Sequence, residues 1–371
     1  MTIAGPELTV AGAGMAGLVA AARARQLGAR PTVLEKGDRA GGSMLLSSCV
    51  IWRYRTLADF RRECPAGEED LQRLLVERLD DGLEWLESLG APVVTRETGN
   101  PLTLGVRFEP RGLTETLARA AGEIRLCTDF RDLVAVPGTA LVLATGGFGG
   151  DPELVARHIT LEPLALRANP WSAGDGLRFA LDRGAATSTG LDQFHGRNMP
   201  DADFGEHDFV RLAQLYARHA LVVDEQGEPF LGEPPSWSET DVVQASARQP
   251  GARAWYVLAA AALQHRVRKR TVGEMVEAAR GAGAPVLDAS ELPFPVPASA
   301  KVAVRVRAAI THTIGGLRVD ESARVLRDDG TRVEGLYAAG VDAGGFAAGG
   351  YASGLAQALV LGLAAAEDLA R

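Results

Sequence analysis

A chain of 371 residues, 46% of them hydrophobic, has room for two lobes, since a single core stops growing at about 250 to 300 residues. Its 47 acidic residues against 39 Lys and Arg give a formal charge of -8, which argues against nucleic acid or an anionic membrane as a partner. Cys49, Cys64 and Cys127 match no C-x-x-C, haem-attachment or zinc pattern, so no metal site and a reduced, cytoplasmic location are expected. The first strand starts within ten residues of Met1, and no apolar run reaches the ~18 uncharged residues of a membrane span. Neither export nor membrane anchoring is expected.

The chain opens on Leu8 to Gly17, LTVAGAGMAG, an apolar strand running into Gly12, Gly14 and Gly17 at G-x-G-x-x-G spacing, then an alanine-rich helix that stops at Gly28. Gly12 permits a tight turn, Gly14 lets a pyrophosphate approach the backbone, Gly17 lets the helix pack on the strand, and the helix N-terminus offers free N–H donors. A second strand, Thr32 to Glu35, ends in an acid eighteen residues beyond Gly17, where a carboxylate can accept hydrogen bonds from the ribose hydroxyls of an adenine dinucleotide. Lys36 to Ser43 is a polar loop just past the carboxyl end of a central strand, where open α/β sheets bind ligands. Met44 to Trp52, MLLSSCVIW, fits either a segment passing a flat, partly polar ring system or an ordinary buried connection.

Glu68 to Leu89 spaces its leucines as a core helix with Gly90 as the stop, residues 112–122 read as another helix, and Ala140 to Ala144 as a buried strand entering Thr145-Gly146-Gly147. Asp175 opens a helix from Leu177 to Asp182, as an N-cap or near N-cap residue or as a ligand contact. From Asn198 to Pro297 the glycine and strand rhythm lapses, which marks an inserted lobe. Within it Leu221 to Asp224 reads as a strand, Trp255 to Leu263 as a buried strand or helix, Val272 to Ala279 as a helix, and the prolines from Pro285 to Pro297 as a return linker. The cluster Arg266, Arg268, Lys269 and Arg270 reads as a solvated face before an anion site. Val302 to Arg307 alternates like a strand, Gly315 to Leu326 like a hairpin, and Leu336 to Ala339 is a last buried strand before the glycine-rich run Gly340 to Gly354 and a helix from about Leu355 to Ala370. The expected organisation is a first nucleotide-binding segment at 1–197, a capping and substrate lobe at 198–297, and a second nucleotide-binding segment at 298–371.

Seven pieces, in one order, resemble the flavoproteins of the fumarate reductase and succinate dehydrogenase type, which include the 3-ketosteroid dehydrogenases. They are AGAGMAG with Glu35-Lys36, GGS at Gly41 to Ser43, ATGG at Ala144 to Gly147, GDG at Gly174 to Gly176, QFH at Gln193 to His195, THTIGG at Thr311 to Gly316 and GLYAAG at Gly335 to Gly340. The resemblance implies an α/β fold, a Rossmann-like FAD-binding domain (GR2-type) with an inserted α+β capping domain, and non-covalent FAD. It implies pyrophosphate and ribose contacts at Gly12, Gly14, Ala16, Gly17, Glu35 and Lys36, and a flavin-side loop at Gly42, Ser43, Ser47 and Ser48. Further cofactor contacts are implied at Ala144, Thr145, Gly146 and Asp175, and at Gly340, Asp342, Gly354 and Leu355. In respiratory members a histidine aligned with Ser43 bonds covalently to the flavin; a serine cannot, so the FAD should dissociate. The AAGE motif, whose acid reaches the ribityl chain, stands here as Ala338-Ala339-Gly340-Val341, with Asp342 one place late.

His195 and His312 match two family histidines that hold a dicarboxylate, but Tyr351 replaces the arginine that grips its second carboxylate. The threonine and glutamate expected before Leu221 are also missing; Gln214, Tyr216 and His219 occupy that neighbourhood. Tyr351, His312 and His195 are therefore the expected catalytic residues of an oxidoreductase that introduces or reduces a C=C bond beside a carbonyl of a small, ketosteroid-like or enone substrate. Tyr54 or Tyr256 could equally supply a phenol, and each histidine could be a satisfied core residue. Two alternatives stay open: a fumarate reductase-like enzyme that draws an arginine such as Arg253 or Arg266 from the cap, and a flavin-binding protein with no turnover. No second G-x-G-x-x-G follows a later strand, so the electron donor or acceptor is unassigned.

Overall fold

The computed structural model describes residues 7–132 and 140–371. Its chain divides into two compact units, one made of 1–151, 169–193 and 312–371, the other of 152–168 and 194–311. The second unit thus takes in a stretch well before the lobe expected at 198–297, and runs on to Thr311.

The first unit is built on a six-stranded sheet in the order 324–326, 332–338, 140–143, 7–11, 30–34, 123–125. The strand Glu7–Ala11 lies at its middle, parallel to Arg30–Leu34 on one side and Ala140–Leu143 on the other, with Val10 opposite both Val33 and Val142. A strand buried on both faces carries apolar residues without alternation, as LTVA, TVL and ALVL do. The helix Met15–Gln26 is buried over nine of its residues, and the C-terminal helix Gly354–Leu369 over ten, so both are buried over most of their length, with their charged residues in the last turns. They pack closely because a Cβ on Gly362 would meet the Ala16 carbonyl at 2.8 Å. The helix Glu69–Ser88 supplies the leucine face read from the sequence.

The second unit centres on an antiparallel sheet in the order 221–223, 253–259, 300–313, 286–288, with 165–166 and 194–200 also pairing with 300–313. Its main core joins Tyr216, Tyr256, Met275, Val304 and Val306.

Three local expectations change and a fourth holds. Trp255 to Leu263 resolves into the end of strand Arg253–Ala259 and a 3-10 turn, Ala260–Gln264. The proline-marked linker contains the strand Val286–Asp288, which pairs with 302–304 between the prolines. The strand expected at 302–307 extends over Ala300–Thr313. The hairpin expected at 315–326 is present, with Val319 bridged antiparallel to Val325 and Leu326 N donating to Arg318 O at 2.9 Å, and Arg324–Leu326 pairs onward with Arg332–Ala338 around Gly330, whose φ is +81°. Gly315 and Gly316 lead into it against other backbone: a Cβ there would strike Leu191 N at 2.3 Å and Asp342 O at 2.6 Å, while Gly316 O accepts from Ser188 N at 2.9 Å. No helix among the described residues is long and apolar enough to cross a membrane.

Candidate functional site

The three fingerprint glycines have three different reasons. Gly12 holds φ +106°, and a Cβ on it would lie 2.2 Å from the Ala144 carbonyl oxygen; one on Gly17 would lie 1.9 Å from the Gly12 oxygen. Those two glycines are required by packing. A Cβ on Gly14 would meet nothing within 4 Å, so this residue borders open space at the start of Met15–Gln26. That helix has no side-chain cap, which leaves its first N–H groups to an outside acceptor. Gly42, at φ +50°, comes close as well: its Cβ would be 3.2 Å from Gly14 Cα. An uncapped helix start and a bare glycine facing open space fit a pyrophosphate. Ala16 lies on the buried side, where a Cβ on Gly340 would touch it at 3.0 Å, so these two pack the turn from behind.

Glu35 is 5% exposed, and its two carboxylate oxygens accept from Ala13 N and Gly37 N, each at 2.7 Å. It therefore ties the glycine turn to the next loop, and each oxygen keeps a further lone pair that a ribose hydroxyl could use. Lys36 is paired with Asp175 at 2.8 Å, and Arg131 reaches the other Asp175 oxygen at 3.0 Å. Asp175 stands next to the cap of its helix, the near N-cap place. The N-cap is Gly174 at φ +77°, and Asp175, the first helical residue, places its charge at the positive end of the dipole.

Asp342 has turned inward. It is 1% exposed, and it accepts from Thr145 N, from Thr145 Oγ1 at 3.0 Å and from Gly147 N at 3.0 Å. Burial pushes its carboxyl up, against the pull of those donors. Its side chain fixes the Thr145–Gly147 turn. Gly146 abuts Ser172, and Gly147 abuts Val341 and Thr313. Ser43 Oγ accepts from Asn169 N at 3.2 Å. Ser47 Oγ donates to Met44 O at 2.8 Å and accepts from Cys49 N at 2.9 Å, so that hydroxyl shapes its own turn; Ser48 contributes a carbonyl to Arg107.

At the other glycine-rich run, Ser353 caps the C-terminal helix by accepting from Ala356 N at 3.3 Å, leaving the N–H groups of Gly354 and Leu355 without an intrahelical acceptor. Tyr351, half-buried, sets its ring against Trp52 with centroids 5.5 Å apart. His312 Nδ1 lies 3.0 Å from the Thr313 carbonyl, so in the neutral ring Nδ1 carries the hydrogen and Nε2 the lone pair. A Cβ on Gly354 would be 3.3 Å from that Nε2. Tyr351, Gly354 and His312 thus belong to one neighbourhood of the first unit.

His195 belongs to the second unit. It is 5% exposed, with Nδ1 2.9 Å from Thr240 Oγ1. Two residues on, and so on the same strand face, Arg197 is buried and donates to the Ser238 carbonyl. Glu239, at φ +54°, accepts from Ala217 N at 3.0 Å, and burial pushes its carboxyl up to about 7 against the nearby Arg197 charge. Sequence reasoning named His195 but missed Arg197 and Glu239; the alternation of His195 and Arg197 on one strand was the available signal. Arg253 instead pairs with Asp201 at 3.0 Å, and Arg266 is an exposed hairpin residue. Tyr256 is a core residue whose hydroxyl accepts from Asn198. Tyr216 donates to Gln214 at 2.7 Å in the same core, and His219 stacks on His265 at 4.5 Å.

A family model described as FAD binding domain matches residues 7–136 and 122–354. Among curated proteins, the chain is 24% identical to the probable fumarate reductase Ifc3 of Shewanella frigidimarina, over 91% of this chain and 70% of that protein. Among solved structures, it matches the open conformation of a flavocytochrome c3 fumarate reductase with a TM-score of 0.70 and 22% identity, covering 99% of this chain and 78% of that one. It also matches the 3-ketosteroid Δ1-dehydrogenase of Sterolibacterium denitrificans, solved with 1,4-androstadiene-3,17-dione, with a TM-score of 0.73 and 17% identity over 98% and 99% of the two chains. The two structural matches establish a shared fold.

Proposed function

Since the chain belongs to the FAD binding domain family, we propose that it is an FAD-dependent oxidoreductase that introduces or reduces a C=C bond beside the carbonyl of a small hydrophobic substrate. FAD, when bound, supplies hydride exchange. The observation that carries the reading is the placement of Tyr351, whose ring is braced by Trp52 just ahead of the Ser353-capped helix start. A phenol is a neutral donor suited to a ketone oxygen, whereas a carboxylate buried without a cation costs several kcal/mol. The N–H groups of Gly354 and Leu355 can join Tyr351 in holding an oxygen on which charge develops. His312 Nε2 is the nearby site able to hold or take up a proton. Phosphate binding falls to Gly14 and the first turn of Met15–Gln26, ribose binding to Glu35.

One observation favours a carboxylate substrate instead: Arg197 is a buried cation on the same strand face as His195, and the Shewanella relative is named a probable fumarate reductase. Anaerobic photoreduction of the purified protein followed by stopped-flow mixing separates the readings. Rapid flavin reoxidation by a cyclic enone supports the first, reoxidation by fumarate the second, and reoxidation by neither a flavin-binding protein without turnover. Acid precipitation should release intact FAD into the supernatant, because Ser43 offers no covalent attachment.

A further inference from the structure

The loop Asn169 to Ser172 has no part in the binding described above, yet it passes three segments that do. A Cβ on Gly42 would stand 3.7 Å from Asn169 Nδ2, 3.2 Å from Gly14 Cα and 3.8 Å from Gly14 N, so the Asn169 amide and the first helix start border one narrow notch. A Cβ on Gly37, whose N–H holds Glu35, would strike the Trp171 ring at 2.6 Å. One on Gly146 would meet Ser172 Oγ at 2.5 Å. The chain thus lacks a side chain at each place where this loop crosses the glycine turn, the Glu35 loop and the Thr145–Gly147 turn.

Asn169-Pro170 is a turn-opening pair, and both turn bonds are made: Oδ1 accepts from Trp171 N at 2.9 Å, and the main-chain oxygen accepts from Ser172 N at 3.2 Å. Asn169 N donates to Ser43 Oγ at 3.2 Å, which fixes the residue to the loop that carries Gly42. These bonds settle which end of the amide is which. With Oδ1 engaged by Trp171 N–H, Nδ2 is the end beside Gly42, and its two hydrogens meet no acceptor among the described residues. The residue is half-buried. A half-buried amide donor held beside an uncapped helix start is suited to an anionic oxygen.

We propose that Asn169 is a further cofactor-binding residue, whose Nδ2 donates to a pyrophosphate oxygen of FAD seated at Gly14. The inference rests on the Gly14 turn being the phosphate seat. The donor comes from outside the strand, turn and helix of Leu8 to Gln26: Asn169 is the residue at which the chain re-enters the first unit after 152–168. The glycine fingerprint therefore supplies only part of the seat, and a loop more than a hundred residues later completes it.

The test is the dissociation constant of FAD, read from the flavin fluorescence released as the holoprotein is diluted, for wild type, Asn169→Ala, Asn169→Asp and Gly14→Asp. Aspartate keeps the oxygen that Trp171 N–H needs and replaces the donor with a negative charge; alanine removes both. A phosphate donor therefore predicts that Asn169→Ala weakens FAD binding about 10- to 100-fold and that Asn169→Asp weakens it further. A residue that only builds its turn predicts the reverse order. The inhibition constant of ADP, which carries a pyrophosphate and no flavin, should rise in the same order as the FAD constant. If Gly14→Asp releases its flavin while Asn169→Asp binds FAD as wild type does, binds it more tightly than Asn169→Ala does, or leaves the ADP constant unchanged, the role of Asn169 is overturned and the phosphate seat stands. If Gly14→Asp holds FAD with the wild-type constant, the seat reading falls and the role of Asn169 with it.

Discussion

Two helix starts in the first unit follow glycine-rich turns, and they use glycine for opposite ends. At Met15–Gln26 the turn is stripped of side chains: Gly14 borders open space and no side chain caps the helix. At Gly354–Leu369 the helix is capped by Ser353, and the glycines lie in the loop, where a Cβ on Gly350 would come within 1.9 Å of the Glu63 carbonyl. The first start offers backbone to an anion. The second compresses its loop so that one side chain, Tyr351, is set in place. Glycine before a helix is therefore two signals, separable by asking whether the missing Cβ would meet open space or backbone.

The largest expected effect tests that distinction inside the first turn. Gly12→Ala puts a methyl group 2.2 Å from a carbonyl at φ +106°, and should cost more than ~4 kcal/mol, read as loss of soluble folded protein or a large fall in urea midpoint. Gly14→Ala meets no atom, so the fold should survive and only FAD affinity should drop. Equal damage from both would mean that the space before Gly14 is not the phosphate seat. Next comes the second start. Tyr351→Phe keeps the ring against Trp52, so flavin content and thermal midpoint should hold while turnover falls by about 2.7 to 4 kcal/mol of transition-state stabilisation.

The parts legible in the sequence were those specified by neighbours in the chain. The strand, turn and helix from Leu8 to Gln26, the helix Glu69–Ser88 and the C-terminal helix each follow from local pattern. Tyr351, His312 and His195 were expected as catalytic residues from resemblance to a family, and their roles stay proposals. What the sequence could not show depends on distant partners: Asp342 turned in toward Thr145, Asp175 engaged by Lys36 and Arg131, and Tyr54 fastened to a residue 297 positions away. A displaced acid in a motif reads as a weakened contact, whereas the structure gives it a different acceptor role in the interior.

Glu239 extends the comparison to a helix start in the second unit, Thr240–Ser246, where the N-cap residue is an acid that turns its carboxylate away to Ala217 N. Its folded-state value is raised from 4.5 to about 7 by burial, so the folded state favours the protonated form. The sign follows from linkage: its contribution to stability is fully present below pH 4.5 and is lost as pH rises through about 7. Glu239→Gln keeps an acceptor and removes the charge, so the variant should gain on wild type across that window by up to roughly 3 kcal/mol and stay level above it. Chemical denaturation of both proteins at pH 5, 6, 7 and 8 measures the gap; a gap that does not change with pH would show that Glu239 does not titrate there. At the first start, Glu35→Ala removes a charged acceptor and should weaken FAD binding by about 1.5 to 3 kcal/mol, and an unchanged dissociation constant would place the ribose elsewhere.

The smallest effect sharpens the contrast most directly. Ser353 accepts from Ala356 N at 3.3 Å, and losing a helix cap of this kind typically costs about 1 kcal/mol. Ser353→Ala should therefore lower the urea midpoint slightly and leave FAD content intact, because this cap serves the helix and not the cofactor. The reciprocal change is Gly14→Asp. An aspartate at that N-cap position gives the first helix the side-chain acceptor it lacks and adds negative charge at the positive end of its dipole, worth a few tenths of a kcal/mol in the apoprotein. The same carboxylate would occupy the space in front of Gly14 and repel a pyrophosphate there. Apoprotein stability should thus hold or rise slightly while FAD binding is lost, a pair of opposite changes that a general disturbance of the turn cannot produce. If Gly14→Asp protein is still purified yellow with full FAD occupancy, the uncapped helix start is not where the phosphates sit, and the contrast between the two helix starts loses its functional half.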